Sequence, residues 1–155
     1  MVRSTKNVRA KNIKDKEKKG QVRVVVARGK RKRAIAIARI KKGKKTRLIF
    51  NGISADAIEN EYLKHMLLEP LILAPKANEE NLDIVVNAKG GGLMGQIQAA
   101  RRAIAVGISE YLNDNELLKT YYNIDKSLVV EDTRRVEPKK YKGRKARARF
   151  QKSYR

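Results

Sequence analysis

The sequence predicts an α+β domain carrying basic tails. Apolar periodicity changes from two to 3.6 within the central segment, which indicates strands and helices packed in separate layers. Charge is segregated along the chain, with an ordinary centre and strongly basic ends. No internal repeat is present, so a solenoid or tandem array is not expected.

The apolar run Val22, Val24, Val25 and Val26 is β-branched and predicts a first strand. From Arg33 to Ile40 the chain alternates strictly. Ile35 and Ile37 share one face, and Ala34, Ala36 and Ala38 share the other, where another element or backbone can approach closely. Lys41-Lys42-Gly43-Lys44-Lys45 reads as a turn and residues 46–50 as a returning strand, together a hairpin with four lysines at its tip. Ser54 is a candidate N-cap for a short helix. Residues 60–68 carry Tyr62, Leu63, Met66 and Leu67 at helical spacing, with Pro70 expected to end the helix. Residues 82–88 read as a strand, and Gly90-Gly91-Gly92 breaks it. A helix of about 93–112 follows, with Leu93, Ile97, Ala100, Ile104, Ile108 and Tyr111 on one face. A second stripe of that helix, Gly95, Ala99, Ala103 and Gly107, is small throughout. Arg101 and Arg102 are expected on its exposed side. A short helix over 115–122 and an apolar, strand-like piece over 127–130 complete the pattern.

The 155 residues include 38 Lys or Arg against 16 Asp or Glu, a formal net charge of +22. Such an excess argues against a lone enzyme acting on a neutral metabolite and favours a polyanionic partner, above all nucleic acid. Residues 28–47 hold eleven cations and no acid, and residues 138–155 hold nine cations and no acid. Residues 48–131 reverse the sign, with twelve acids against seven cations. The reading is a basic N-terminal extension over 1–20, a globular domain over 21–131 and an extended basic tail over 132–155. In water alone both ends are expected to be disordered, because neither can bury enough apolar surface to offset the entropy of ordering. Asp15 and Glu17 argue against a mitochondrial transit peptide, and no apolar stretch follows the first basic residues as a secretory signal requires. There is no Cys, hence no thiolate metal site or Cys nucleophile, and no apolar run approaches the ~18 residues of a membrane span.

Gly90-Gly91-Gly92-Leu93-Met94-Gly95 matches the G-x-G-x-x-G pattern of dinucleotide sites, after a strand and opening a helix. The match lacks its context. No second parallel strand ending in an acid follows about 20 residues on, since Glu131 and Asp132 lie much farther along. No Gly-Lys-Ser/Thr follows to make a Walker loop. His65 is the only histidine and sits among apolar residues of a helical pattern, without a second His for a metal. No cofactor and no metal are expected, and no catalytic group is assigned.

Several segments together resemble one family. Gly90-Gly-Gly-Leu-Met-Gly95-Gln96, with Arg101-Arg102 and Ala-Ile-Ala after it, resembles the signature of small-subunit ribosomal protein nine. Gly29-Lys30-Arg31-Lys32-Arg33-Ala34-Ile35-Ala36 resembles its opening strand motif, with Arg33 where the family usually has Thr. Residues 132–140 resemble its D-x-R-x-x-E-x-K segment, and residues 146–155 its C-terminus. The Ser-Tyr-Arg ending and residues 69–74 look like the archaeal and eukaryotic branch. The resemblance implies a fold like the second domain of ribosomal protein five: a sheet of about four strands backed by helices, with a left-handed βαβ crossover. It implies a non-enzymatic place in the cytoplasmic ribosome, in the head of the small subunit. Small-subunit rRNA, peptidyl-site tRNA and neighbouring head proteins would be the partners.

On that reading the rRNA-binding candidates are Lys30, Arg31, Lys32 and Arg33 on the first strand motif and Lys41, Lys42, Lys44 and Lys45 on the lysine turn. Arg101 and Arg102 on the long helix join them, with Arg134, Arg135, Lys139, Lys140, Arg144, Lys145, Arg147 and Arg149 in the tail. Arginine forks grip phosphate oxygens in pairs, and duplex RNA hides its base edges, so contacts to phosphate and shape are expected. Lys152, Tyr154 and Arg155 would approach the tRNA anticodon stem-loop, without sequence selection. Gly90, Gly91, Gly92 and Gly95 are read as close-packing glycines. A nucleic-acid-binding module outside the ribosome has the same charge and remains an alternative from composition alone.

Overall fold

A computed structural model describes residues 23–151 and 153. Its five strands are β1 (Val24–Arg31), β2 (Ala34–Lys42), β3 (Arg47–Phe50), β4 (Ile53–Ser54) and β5 (Leu82–Lys89). They form one sheet in the order β1-β2-β5-β3-β4. β3 and β5 run parallel, and the other neighbours are antiparallel. The helices are α1 (Glu61–Ile72), α2 (Pro75–Glu79), α3 (Leu93–Leu112) and α4 (Asn115–Ile124), with single tight turns at Ala55–Ala57 and Lys126–Leu128. The mixed α+β class is as the sequence predicts, with one strand more than expected because the two-residue β4 adds an edge.

Alternation in β2 decides which face is covered. Ala34, Ala36, Ala38 and Ile40 are buried under α3, while Ile35 and Ile37 are each 43% exposed on the opposite face. The small face wins because the backbone of α3 can reach it. A Cβ on Gly29 would collide with the backbone carbonyl of Ala99. One on Gly107 would come within 2.7 Å of Ile40 Cδ1. The Ala99, Ala103 and Gly107 stripe is therefore the seam between helix and sheet. Ile97, Ala100, Ile104 and Ile108 fill the rest of the core with Leu67, Leu82, Ile84, Val86 and Tyr121. Leu93, the first residue of the expected apolar face, remains 56% exposed.

Three local expectations are corrected. The hairpin is β1–β2, turning on Lys32–Arg33, and not β2–β3. β5 lies between β2 and β3, and the lysine turn crosses the end of β5, where Gly43 N–H donates to Asn81 C=O at 2.7 Å. β5 is the most continuously buried strand, so it takes the centre. Pro70 does not end α1. It sits in the last turn of the helix, where its missing N–H removes one bond, and its own carbonyl accepts from Tyr121 Oη at 2.6 Å. Residues 126–128 form a tight helical turn rather than a strand, capped by Asp125. Ser54 precedes a tight turn without a side-chain cap bond, whereas Asn60 caps α1 by accepting from Leu63 N–H.

No helix among the described residues is long and apolar enough to cross a membrane.

Candidate nucleic-acid interface

The β1–β2 turn and the root of the tail meet at one end of the sheet. Lys32 takes a left-handed φ of 54°, an unusual conformation for a residue with a side chain, and closes the two-residue turn. The tail runs back along the edge of β1. Arg28 pairs with Glu131 at 3.1 Å, and Arg31 with Asp132 at 2.8 Å. This apposition opens a cleft of about 420 Å³ lined by Lys30, Lys32, Arg33, Arg134, Arg135 and Val136, with no acid in its wall. Among the described residues no carboxylate pairs with Lys30, Lys32, Arg33 or Arg135. An open cleft with four unneutralised cations concentrates positive potential, an arrangement that suits an anionic group.

Arg31 stands apart from its neighbours. Its Nε donates to Gln98 Oε1 at 2.9 Å, and its other contact is the Asp132 carboxylate. Asp132 in turn accepts from Arg134 side chain and backbone at 3.1 and 3.0 Å. Those Arg134 bonds, with Arg31 beside them, hold the Asp132 carboxyl down at about 2. The motif acid thus anchors the tail to the sheet. Sequence reading carried Asp132 only as part of a pattern; its partner lies 101 residues away, so no local signal reveals the pairing.

The lysine turn occupies the opposite end of β2, about 26 Å away at the usual rise per strand residue. Lys42, Lys44 and Lys45 are exposed there. Lys41 is not equivalent to them: its Nζ lies 3.3 Å from Asp83, which also takes a two-pronged contact from Arg47 at 2.5 and 3.0 Å. Hydrogen bonding from Arg47 keeps the Asp83 carboxyl below its ordinary range, despite the burial that opposes it. Between the two cationic ends the open face of the sheet carries Val24, Val26, Ile35 and Ile37 exposed, with Arg39 and Lys89 exposed among them. Sequence reading missed Arg39 and Lys89 as members of this surface. The period-two pattern that puts them beside Ile35 and Ile37 was the available signal.

The expectation that Arg101 and Arg102 lie on an exposed side of α3 is corrected. The Arg101 side chain is 13% exposed and bridges Glu69 at 2.7 Å and Asp125 at 2.9 Å, joining α1, α3 and the end of α4. Arg102 donates to the backbone carbonyls of Val129 and Arg28, fastening the tail root to α3 and β1. Both guanidinium groups are occupied within the fold.

Beyond Val136 the tail folds on itself. Glu137 takes both prongs of Arg147 at 3.0 and 2.6 Å, which lowers the Glu137 carboxyl from its ordinary value. Gly143 pairs with Arg149 across a short antiparallel bridge, and Arg149 donates to Tyr141 C=O at 2.7 Å. Arg144 lies over the Phe150 ring at 5.7 Å. Lys139, Lys140 and Lys145 are exposed. Lys152, Tyr154 and Arg155 lie outside the described residues, as does the extension over 1–20.

The glycine run leaves the end of β5 and passes close to the backbone of Arg33 and Ala34 where β2 begins. Gly90 has φ of 78°, and a Cβ there would come within 2.6 Å of Arg33 C=O. Gly95 faces Ala34, whereas the reading of Gly92 as a close-packing glycine is corrected: a Cβ there would meet open space, and Gly92 begins α3 without a side-chain cap.

The family model for ribosomal protein S9/S16 matches residues 29–155. The chain belongs to the ribosomal protein S9/S16 family. Among its curated relatives, the small ribosomal subunit protein uS9 of Thermoplasma volcanium is 46% identical over 131 residues, covering 84% of this chain and 98% of the relative. The small ribosomal subunit protein uS9 of Debaryomyces hansenii is 44% identical over 134 residues, 82% of this chain and 94% of that protein. Saccharomyces cerevisiae uS9A is 42% identical over the same number of residues. Both walls of the cationic cleft fall within the S9/S16 match, whereas residues 1–28 precede it.

Proposed function

We propose that this S9/S16 chain is a structural, non-catalytic component of the small ribosomal subunit that binds rRNA in the subunit head. The observation that carries the reading is the acid-free cleft where Lys30, Lys32 and Arg33 meet Arg134 and Arg135. That its relatives are small ribosomal subunit proteins supports the choice of particle. RNA lies across the open sheet face, from the cleft to Lys42, Lys44 and Lys45, with the exposed isoleucines against sugars and the cations against phosphates. A deep RNA major groove leaves little else to grip. The tail, fastened at Asp132 and preshaped by the Glu137–Arg147 pair, directs its end toward the peptidyl-site tRNA. Lys152 and Arg155 act there on phosphates, so every tRNA is accepted alike.

The test is sedimentation of the full chain with small subunits through sucrose gradients over a series of salt concentrations. Co-migration retained at moderate salt is expected, and a chain that stays at the top of the gradient at every salt overturns the reading. Binding to small-subunit rRNA should weaken with salt by a log–log slope of about −0.7 to −0.9 per phosphate contacted. The triple substitution Lys32→Gln, Arg33→Gln and Arg135→Gln should make that slope shallower by about two to three, and an unchanged slope moves the contact away from the cleft. Removing residues 152–155 should weaken peptidyl-site tRNA binding while leaving the rRNA slope within about one contact.

A further inference from the structure

Between Glu137 and Arg149 the tail closes a loop whose only large apolar side chain is Tyr141. Three ties hold the loop: the two-pronged Glu137–Arg147 pair, the Gly143–Arg149 bridge, and the bond that Arg149 donates to the Tyr141 carbonyl. Gly143 is buried where the two limbs meet, and a Cβ on it would come within 2.6 Å of the Ala148 carbonyl oxygen. Lys142 turns the chain with a left-handed φ of 52°. None of these ties uses the Tyr141 ring. That ring is 86% exposed, more than any other large apolar side chain among the described residues. Lys142 Nζ lies 5.6 Å from its centre. Lys139, Lys140 and Lys145 are exposed along the same loop, and its one acid, Glu137, is already paired.

The ties fix the backbone beneath the ring, so less ordering remains to oppose a partner that docks on it. A ring with an ammonium beside it fits a ligand that is planar in one part and anionic in another. We propose that Tyr141 is a stacking platform for an unpaired nucleotide of RNA, with Lys142 on the phosphate of that nucleotide. Stacking of this kind accepts any base, because every base has a π-face. Bases inside an RNA duplex already stack on one another, and their faces become available in loops, bulges and ends. The carboxylates of an acidic protein would answer the lysines and leave the ring without a planar partner. The inference rests on the ribosomal reading for which RNA supplies the nucleotide. It gives the tail a mode of recognition, stacking on a single base, that neither the cationic cleft nor the open sheet face uses.

The first arm of the experiment irradiates the full chain with a single-stranded RNA carrying 5-iodouridine, either free or annealed to its complement. The modified base is expected to cross-link to Tyr141 from the single strand and to lose that cross-link in the duplex. Cross-links confined to other residues, or equal from the duplex, overturn the inference. Tyr141→Phe should bind the single strand within about twofold of the wild type. Tyr141→Leu, which keeps apolar bulk without a π-face, should bind it about tenfold more weakly, with duplex affinity unchanged for both. A Tyr141→Leu chain that binds the single strand like the wild type, or that is weakened equally toward duplex, overturns the platform. In the second arm the chain is assembled into small subunits and irradiated. A nucleotide joined to Tyr141 there, with a base that chemical probing shows to be unpaired, supports the inference in the particle. A chain recovered in particles with Tyr141 joined to protein or to nothing overturns it while the ribosomal reading stands. A chain absent from the particles, with the single-strand cross-link intact, overturns the ribosomal reading and leaves the platform supported for another RNA.

Discussion

Strand β2 has two faces of nearly equal length and opposite fate. Ala34, Ala36 and Ala38 are at most 1% exposed, while the larger Ile35 and Ile37 stand 43% exposed. Hydrophobicity alone predicts the reverse, because isoleucine gains more from leaving water. The difference teaches that closeness of approach selected the core. Only the alanine face, with Gly29 beside it and Gly107 above, lets the backbone of α3 settle onto the sheet. Charges divide along the same line. On the helix side Arg101 and Arg102 are bound to groups of the fold, while beside the open face Lys32, Arg33 and Arg135 have no acid partner among the described residues. The closed side uses its residues for stability, and the open side leaves them unpaired among the described residues.

The largest expected effect comes from breaking the closed face. Gly29→Ala places a methyl group on the Ala99 carbonyl, a contact with backbone that no rotamer change relieves. Overpacking of this kind should cost about 3 kcal/mol or more, read by urea denaturation. A variant as stable as the wild type would show that α3 is free to lift from the sheet, and the closeness argument would fail. Next, Arg101→Ala leaves Glu69 and Asp125 facing each other without a cation in a largely shielded position. The expected cost is about 2–3 kcal/mol, at or below the lower limit of values for a broken buried pair because both carboxylates retain some water. The salt slope of rRNA binding should stay the same. A slope reduced by about one, with stability intact, would return Arg101 to the RNA-binding set.

Much of this organisation is legible in the sequence, and the rest is hidden for a physical reason. α3 and β5 are readable because the period is regular and the glycine run separates them. The two faces of β2 are readable as a pattern, although not which of them is covered. That depends on the small stripe of α3, sixty and more residues away by chain number. Strand partners are not written locally: β3 follows β2 directly, yet β5 inserts between them. The cationic blocks are visible at once, and the division of labour within them is not. Arg31, Lys41 and Arg101 look like their neighbours in sequence, and each is claimed by an acid supplied from a distant segment, Asp132, Asp83 or Glu69.

A smaller effect tests the open face. Ile35→Thr with Ile37→Thr keeps β-branching and removes apolar surface that the fold does not cover. Stability should change by no more than about 0.5 kcal/mol. Association with small-subunit rRNA should weaken roughly tenfold for the pair, from about 0.8 kcal/mol per methylene withdrawn from a covered site. Unchanged association, measured by filter binding at fixed salt, would leave the isoleucine face outside the RNA contact and confine that contact to the two cationic ends.

The smallest effect lies at the boundary between the two sides, where Asp132 ties the tail root to β1. Its carboxyl is held at about 2 in the folded chain against an ordinary value of 3.8, by bonds from Arg134 first and by Arg31. A lowered folded value means that the ionised form is the one the fold favours. The tie is therefore complete above about pH 4 and is lost as pH falls toward 2. Protection of the Arg134 amide, taken relative to its intrinsic exchange rate at each pH, should be measurable at pH 5 and fall across that window, ahead of protection in α3. Asp132→Asn should show the lower protection already at pH 5. It should also free the Arg134 fork, which enlarges the unneutralised charge of the cleft. Its rRNA affinity at low salt should then hold or rise slightly even as the tail root loosens. A fall in affinity would mean that the direction in which Asp132 aims the tail matters more to the partner than the charge it neutralises.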